Sequence, residues 1–391
     1  MTPAARLQAA VELLDEVLAS ARHNGPPADV IVTRYFKTRR YAGSGDRRAV
    51  RELVFRVIRR SGELPRNGRV AVLGLVEDEP ALASLFGQVR GPAPLAEGEE
   101  GATAALLPQW VIPDLSPLVA RDEWPALLER APLDLRVNLL KASRDEVLAE
   151  LADAEPTPLS PWGVRLAVDT RVDDLPVYNA GKVEVQDEGS QLIAQACAPE
   201  QAELIIDLCA GAGGKSLALA AAAPSARILA TDTDRGRLSN LGPRAGRAGA
   251  TIEIRLLNQP RELDDLADCR ASADVVLVDA PCSGSGTWRR NPEGRWRLTP
   301  QRFDRLVVTQ QRLLDIAAEL VRPGGVVVYA VCSLLSREGA GQIASFLETR
   351  SSWISEPPPI AGGRADGAGQ LLTPGHDGTD GFFVARLRRP C

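Results

Sequence analysis

The chain has 391 residues, of which 45% are hydrophobic and 25% charged. This excludes a disordered or fibrous chain and leaves room for two or three domains at about 150 residues each. The net charge of −5 does not point to nucleic acid, and the longest apolar run, around Val326–Leu335, is far shorter than the ~18 residues of a membrane span. The six cysteines (Cys197, Cys209, Cys269, Cys282, Cys332 and Cys391) include no C-x-x-C, and the only histidines are His23 and His376. That pattern argues against structural zinc and for free thiols in a cytoplasmic chain.

In chain order, Leu7, Val11, Leu14 and Leu18 predict a first amphipathic helix, and Glu12, Asp15 and Glu16 among them argue against an export signal. Asp46 reads as the N-cap of a second helix striped by Val50, Leu53, Val54, Val57 and Ile58. Pro80–Phe86 reads as a short helix and Gly91–Ala104 as a loop. Leu135–Leu140, Val164–Val168 and Val183–Val185 read as strands and Arg144–Ala152 as a helix, a small α/β segment. Beyond Glu203 the alternation is regular. Strands are expected at Leu204–Leu208, Arg227–Thr231, Ile252–Leu257, Val275–Val278 and Val326–Val331, and helices at Lys215–Ala223, Arg235–Ala248 and Gln301–Val321. Short apolar strands separated by helices predict a parallel, doubly wound sheet covered on both faces. A last strand is expected at Phe382–Leu387. The division drawn from this texture is 1–130 helical, 131–200 small α/β, and 201–391 catalytic.

Charge is unevenly spread. Residues 34–69 hold twelve basic and three acidic side chains, and residues 289–305 hold six arginines against Glu293 and Asp304. Two basic clusters on an acidic chain suggest phosphate-binding patches, or else two solvated helix faces. Trp288 and Trp296 in the second cluster are candidates for stacking on bases, or for the core.

The segment Asp207–Ser216 ends a strand and opens a helix with a glycine-rich loop, where an open α/β sheet binds its ligand. A P-loop would need glycine where Cys209 stands, and a dinucleotide fingerprint would need glycine or alanine where Ser216 stands. The next strand ends at Asp232, 21 residues past Gly211, where a carboxylate can accept from ribose hydroxyls. Asp232 is alternatively a helix cap, a role Asp234 can also take. Loop and acid together suit a nucleoside cofactor without a pyrophosphate, and S-adenosylmethionine leads.

Two further strand ends carry Asp279-Ala-Pro-Cys282-Ser-Gly-Ser-Gly286 and Cys332-Ser333. A doubly wound sheet opens both on the same rim as the glycine loop. A thiolate added to carbon 6 of a cytosine makes carbon 5 nucleophilic enough to take a methyl group. A buried-filler role is the alternative for either cysteine, but Pro-Cys followed by Ser-Gly-Ser-Gly is not core texture.

These residues resemble the Sun/RsmB/NOP family of RNA cytosine-5 methyltransferases. The resemblance is carried by QDEGSQL (186–192), DLCAGAGGKS (207–216), DAPCSGSGTWRRNP (279–292), YAVCSLLSREG (329–339) and DGFFVARL (380–387). LRVNLLK (135–141) matches the motif that precedes the core, and GDRRAVRELVFRVIRR (45–60) looks like the family's NusB-like helical domain. The resemblance implies a class I S-adenosylmethionine-dependent methyltransferase, Rossmann-like and doubly wound, with an all-α N-terminal domain that binds RNA. It implies that Cys332 is the nucleophile and that Cys282 aids release. Asp279 and Lys215 would be the polar pair near the methyl group and the base. Cys209, Ala210, Gly211, Ala212, Gly213, Gly214, Lys215, Asp232, Asn258 and Asp279 would form the cofactor site. The implied partner is 16S ribosomal RNA, and a cytoplasmic monomer without metal or membrane is expected. Ala212 replaces a usual proline, Val331 a usual threonine and Asn258 a usual acid, and Arg337-Glu338-Gly339-Ala340 matches an acidic stretch only in part.

Competing readings are an exocyclic amino-group methyltransferase, disfavoured because Ala280-Pro281-Cys282 follows Asp279 in place of Pro-Pro-aromatic, and a non-catalytic RNA-binding factor on the same fold. A nicotinamide enzyme already fails at Ser216.

Overall fold

The structure is a computed structural model that describes residues 1–23 and 25–391. The chain forms two compact units. One comprises Met1–Pro113, Trp124–Glu129 and Thr287–Arg302; the other comprises Asp114–Glu123, Arg130–Gly286 and Phe303–Cys391.

The first unit is all-α. Helices α1 (Pro3–Arg22), α2 (Ala28–Lys37), α3 (Ser44–Arg60) and α4 (Gly68–Asp78) enclose Leu7, Leu14, Leu18, Val50, Val54, Val57 and Ile58. The expected stripes therefore make the core. Asp46 is not the N-cap of α3, whose cap is Gly43, three residues earlier. Its carboxylate accepts from the Gly43 N–H at 3.3 Å and pairs with the Met1 ammonium at 2.9 Å, so it serves the first turn and fastens the chain terminus.

Thr287–Arg302, within the span read as catalytic, packs into this helical unit. Trp296 lies in the helical core and donates its indole N–H to Ser61 O at 2.8 Å. Arg295 is 1% exposed and donates to Ile58 O (2.6 Å) and Pro292 O (2.9 Å), while Glu293 accepts from the N-terminal amide of α2 at 2.9 Å. The sequence segment is basic because buried guanidiniums here satisfy carbonyls at element ends. Trp288 and Trp296 are both buried, which removes them as stacking platforms, and burial of Arg289 and Arg295 takes two of the six arginines out of the second cluster while Arg290 and Arg305 stay exposed. Ion pairs also trim the first cluster, with Arg60 on Glu77 and Asp78 and Arg69 on Glu99.

The second unit holds two sheets. Strands β1 (Leu133–Val137), β2 (Glu155–Pro156), β3 (Gly163–Leu166) and β4 (Val183–Val185) form an antiparallel sheet in the order β2-β3-β1-β4. The larger sheet comprises β5 (Leu204–Asp207), β6 (Arg227–Asp232), β7 (Glu253–Leu256), β8 (Ala273–Asp279), β9 (Val321–Val331), β10 (Ile354–Glu356), β11 (Arg364–Asp366), β12 (Gly369–Leu372) and β13 (Phe382–Arg388). Its order is β11-β12-β13-β9-β8-β5-β6-β7, with β10 paired to β13. The strands β7, β6, β5, β8 and β9 run parallel, and β13 returns antiparallel against β9. This is the expected doubly wound sheet. The chain winds from β5 through β6 to β7, then crosses back to β8, so the switch point lies between the carboxyl ends of β5 and β8. The helix expected at Arg235–Ala248 is broken into Arg235–Leu238 and Leu241–Ala248, because Pro243 cannot donate to, and sterically crowds, the carbonyl of Ser239. Among the described residues no helix is long and apolar enough to cross a membrane, and no group of three or more His, Cys, Asp or Glu side chains could hold a metal ion.

Candidate active site

The parallel strands deliver their terminal side chains to one rim. Asp207 ends β5, Asp232 ends β6, Asp279 ends β8, and Cys332 directly follows β9. The helix Gly214–Ala222 begins at this rim, and Gly213 reaches its first turn with φ +81°, where a β-carbon would lie 2.1 Å from Leu241 Cδ1. Only glycine makes this turn without displacing that packed leucine. Cys209 and Ala210 form the loop's first bend, and Ala210 N–H donates to Thr231 O at 2.8 Å. Ala212, in the position where the family has proline, is braced from outside: Arg244 donates to Ala212 O at 2.5 Å and pairs with the buried Glu184 at 3.0 Å. Arg244 lies on a helix expected only from its hydrophobic pattern, and no local motif marked it.

Asp232 accepts from Gly211 N–H and from Asp234 N–H, both at 2.8 Å. Asp234, not Asp232, caps the following helix, accepting from Arg237 N–H at 3.0 Å. The second reading of Asp232 is thereby settled at the backbone: it ties the glycine loop to β6. Asn258 follows β7 but is exposed, and its side-chain amide donates to Asp265 at 3.1 Å.

Lys215 Nζ sits 2.7 Å from Asp279 Oδ2, in a residue only 9% exposed. Burial pulls the ammonium pKa down, but the charge and hydrogen bond of Asp279 outweigh it and the net shift is upward, with Cys332 adding to the pull. Lys215 therefore stays cationic near Cys332. Cys282 and Cys332 place their sulfurs 3.4 Å apart although 50 residues separate them. The Cys282 thiol is pushed well above its ordinary value, first by its hydrogen bond to Cys332 and then by burial. Cys209 is likewise raised by burial, with Asp207 and Asp232 adding to it, so it is no rival nucleophile.

A polar cluster joins the segments that carry the two thiols. Glu338, wholly buried, accepts from Ser283 N–H at 2.8 Å, Gln310 Nε2 at 3.0 Å and Ser333 Oγ–H at 2.5 Å. In the sequence it stands six residues beyond Cys332, at the end of the motif 329–339 and in the stretch that matches an acidic pattern only in part.

The rim fits S-adenosylmethionine. Two buried acceptors, Asp207 Oδ1 and Gln186 Oε1, have no hydrogen-bond partner within the protein. The face of Gly214 is open, its nearest neighbour 3.6 Å from where a β-carbon would stand. An acceptor-rich rim with an open glycine face suits a cationic ligand bearing ribose hydroxyls and an ammonium group. Sheet order, glycine loop and strand-end acids define a class I, Rossmann-like S-adenosylmethionine-dependent methyltransferase.

Comparison with known proteins narrows the class. The family described as 16S rRNA methyltransferase RsmB/F matches residues 194–388, and an RsmF/B-like ferredoxin-like domain matches residues 107–173. Ribosomal RNA small subunit methyltransferase B of Enterobacter sp. (strain 638) is 34% identical over 301 residues, covering 75% of this chain and 69% of that protein. The chain spans about two thirds of the length of the curated relatives it matches. A methyltransferase homologue from Pyrococcus horikoshii superposes with a TM-score of 0.61 at 26% identity, covering 71% of this chain and 92% of that one. PH0851 gives 0.76 at 23% identity, covering 100% and 99%, and supports the fold alone. The chain belongs to the RsmB/F family of methyltransferases.

Proposed function

We infer that this chain, an S-adenosylmethionine-dependent RNA methyltransferase by family, forms 5-methylcytosine in 16S ribosomal RNA, with Cys332 as nucleophile and Cys282 aiding release. The observation that carries this reading is the pair of sulfurs 3.4 Å apart at the switch-point rim, beside the Lys215–Asp279 ion pair. The Cys332 thiolate adds to carbon 6 of the cytosine, and the negative charge moves onto the ring. Asp279 hydrogen-bonds the ring edge, and Lys215 stabilises both Asp279 and the thiolate. Bound S-adenosylmethionine supplies an electrophilic methyl group to carbon 5. The carbon 5 proton then passes to water and the C5=C6 bond re-forms. The C6–S bond breaks with its electron pair returning to Cys332, where the Cys282 S–H steadies the departing thiolate. Residues 209–215 and Asp232 would hold the cofactor, with Asn258 at the periphery of the adenine side.

The reading extends to the whole chain as a cytoplasmic monomer in three parts: an RNA-binding, NusB-like helical part (1–130), a small α/β part (131–200) and a catalytic part (201–391). Exposed Arg40, Arg48 and Arg66 support RNA binding by the first part.

The test compares Cys282→Ala, Cys332→Ala and the double variant, each mixed with S-adenosylmethionine and unmodified small-subunit ribosomal RNA and run on a denaturing gel. A stable protein–RNA adduct is expected with Cys282→Ala alone. An adduct that persists in Cys332→Ala removes Cys332 as nucleophile, and wild-type protein that methylates no ribosomal RNA removes the substrate assignment.

A further inference from the structure

The two thiols are not held with equal firmness. Cys332 continues the long central strand β9, whose Val331 is paired with Phe383 of β13, and its carbonyl accepts from Gly286 N–H at 3.0 Å. Cys282 sits in a loop beyond the end of β8. That loop is tied down on either side of the cysteine: Pro281 O accepts from Gln310 Nε2 at 2.9 Å, and Ser283 N–H donates to Glu338 Oε1 at 2.8 Å. The same Glu338 oxygen orients Gln310, at 3.0 Å, so both ties pass through one carboxylate. Its other oxygen takes the hydroxyl of Ser333, the residue after Cys332, at 2.5 Å. Glu338 is itself fixed, since Tyr329 Oη donates to its carbonyl at 2.7 Å. The serine hydroxyls fill the remaining space, with Ser283 and Ser285 each within 3.2 Å of Ser333 Oγ. Ser283 N–H, Gln310 Nε2 and the Ser333 hydroxyl all converge on this one buried carboxylate.

We propose that Glu338 is a positioning residue for the resolving step: by binding the amide after Cys282 and the hydroxyl after Cys332, it holds the Cys282 thiol beside the sulfur that must leave. This rests on the cysteine roles proposed above. Since Cys332 is anchored by its strand and Cys282 by Glu338, loss of the carboxylate displaces the releasing thiol more than the attacking one. Adduct formation survives and its resolution slows. Glutamine keeps one oxygen for Ser283 N–H, and the Ser333 hydroxyl can turn to accept from its amide, so Glu338→Gln retains the tie. Aspartate is one methylene too short to reach both loops.

The experiment uses the full chain as wild type, Glu338→Ala, Glu338→Asp, Glu338→Gln and Cys282→Ala, with S-adenosylmethionine and unmodified small-subunit ribosomal RNA. It reads single-turnover methyl transfer, the adduct retained on a denaturing gel, and cofactor affinity by calorimetry. Glu338→Ala and Glu338→Asp are expected to accumulate adduct at least about 10-fold over wild type, as small displacements of a catalytic group do, with methyl transfer and cofactor affinity within about 3-fold. Glu338→Gln is expected to restore release. Wild-type adduct levels in Glu338→Ala, or equal losses of methyl transfer in all three Glu338 variants, overturn the proposal. If Glu338→Ala does not fold, Glu338→Asp decides in the same way. If Cys282→Ala itself retains no adduct while wild type methylates, the cysteine roles fail and the proposal with them. If Cys282→Ala retains adduct and the Glu338 variants do not, only the proposal fails.

Discussion

Cys332, Cys282, Asp279 and Asp232 each stood out by residue type at or just past a strand end, and Lys215 through the family motif that opens the helix after β5; the sheet brings Lys215 and Asp279, and Cys282 and Cys332, into contact. Arg244 did not stand out, and Glu338 did so only within a partly matched acidic stretch with no role attached, because a bracing arginine and a buried carboxylate act through hydrogen bonds that have no local pattern. Gly213 offers a test of the loop. A β-carbon there meets Leu241 at 2.1 Å on a left-handed backbone, so Gly213→Ala is expected to destabilise by about 1–3 kcal/mol and to weaken cofactor binding, read by thermal melting and calorimetry. An unchanged melting temperature would mean that the loop tolerates the side chain.

Asp207 gives a pH test. Burial lifts its carboxyl from 3.8 to about 7, against the partial relief of the Ser216 hydroxyl at 2.6 Å. A folded pKa above the unfolded one means a contribution to stability that is whole below pH 3.8 and is lost as pH rises through 7. Each unit of difference is worth about 1.4 kcal/mol. Asp207→Asn keeps an oxygen for Ser216 and removes the titration. Its stability relative to wild type is therefore expected to rise between pH 4 and pH 8 in urea melts, and a difference that does not change with pH refutes this.

At the level of elements, apolar periodicity placed α1, the body of α3 and the parallel strands within a few residues, because their core faces are set by local spacing. Ends and interruptions followed other rules: Gly43 in place of Asp46 as the cap of α3, and the break before Leu241 imposed by Pro243. The segment Thr287–Arg302 had no such local logic. It reads as basic and aromatic, suited to RNA, yet it is a plug in the helical unit, with Trp296 among the buried leucines and Arg295 fastening Ile58 O. Trp296→Ala is expected to remove about 3–5 kcal/mol from this unit, and calorimetry should show its transition moving to lower temperature. No movement would show that the indole adds nothing to the core.

Across the whole molecule, charge decides what is left for RNA. The local excess read between Arg34 and Arg69 is reduced by ion pairs of Arg60 and Arg69 with acids outside that stretch, while Arg40, Arg48 and Arg66 remain exposed. Reversing Arg40 and Arg48 to glutamate is expected to weaken RNA binding and to lower the salt slope by roughly 0.7–0.9 for each phosphate that is no longer neutralised. Cofactor binding should be unaffected. Filter binding across a salt series measures both quantities, and an unchanged slope would remove this face from the RNA surface.

The amino-acid sequence by itself determined the doubly wound sheet, the glycine loop, the cofactor class and the two cysteines, since strand periodicity, backbone freedom at glycine and side-chain chemistry are all local properties. Only the tertiary structure decided that the two sulfurs lie 3.4 Å apart, that one buried carboxylate ties their loops together, and that Arg289, Arg295, Trp288 and Trp296 are buried instead of lining a solvated groove. The sulfur pair and the arginine plug join residues 50 or more positions apart, and burial, which turns a basic segment into a plug, is a property of the packed chain and not of any stretch of it.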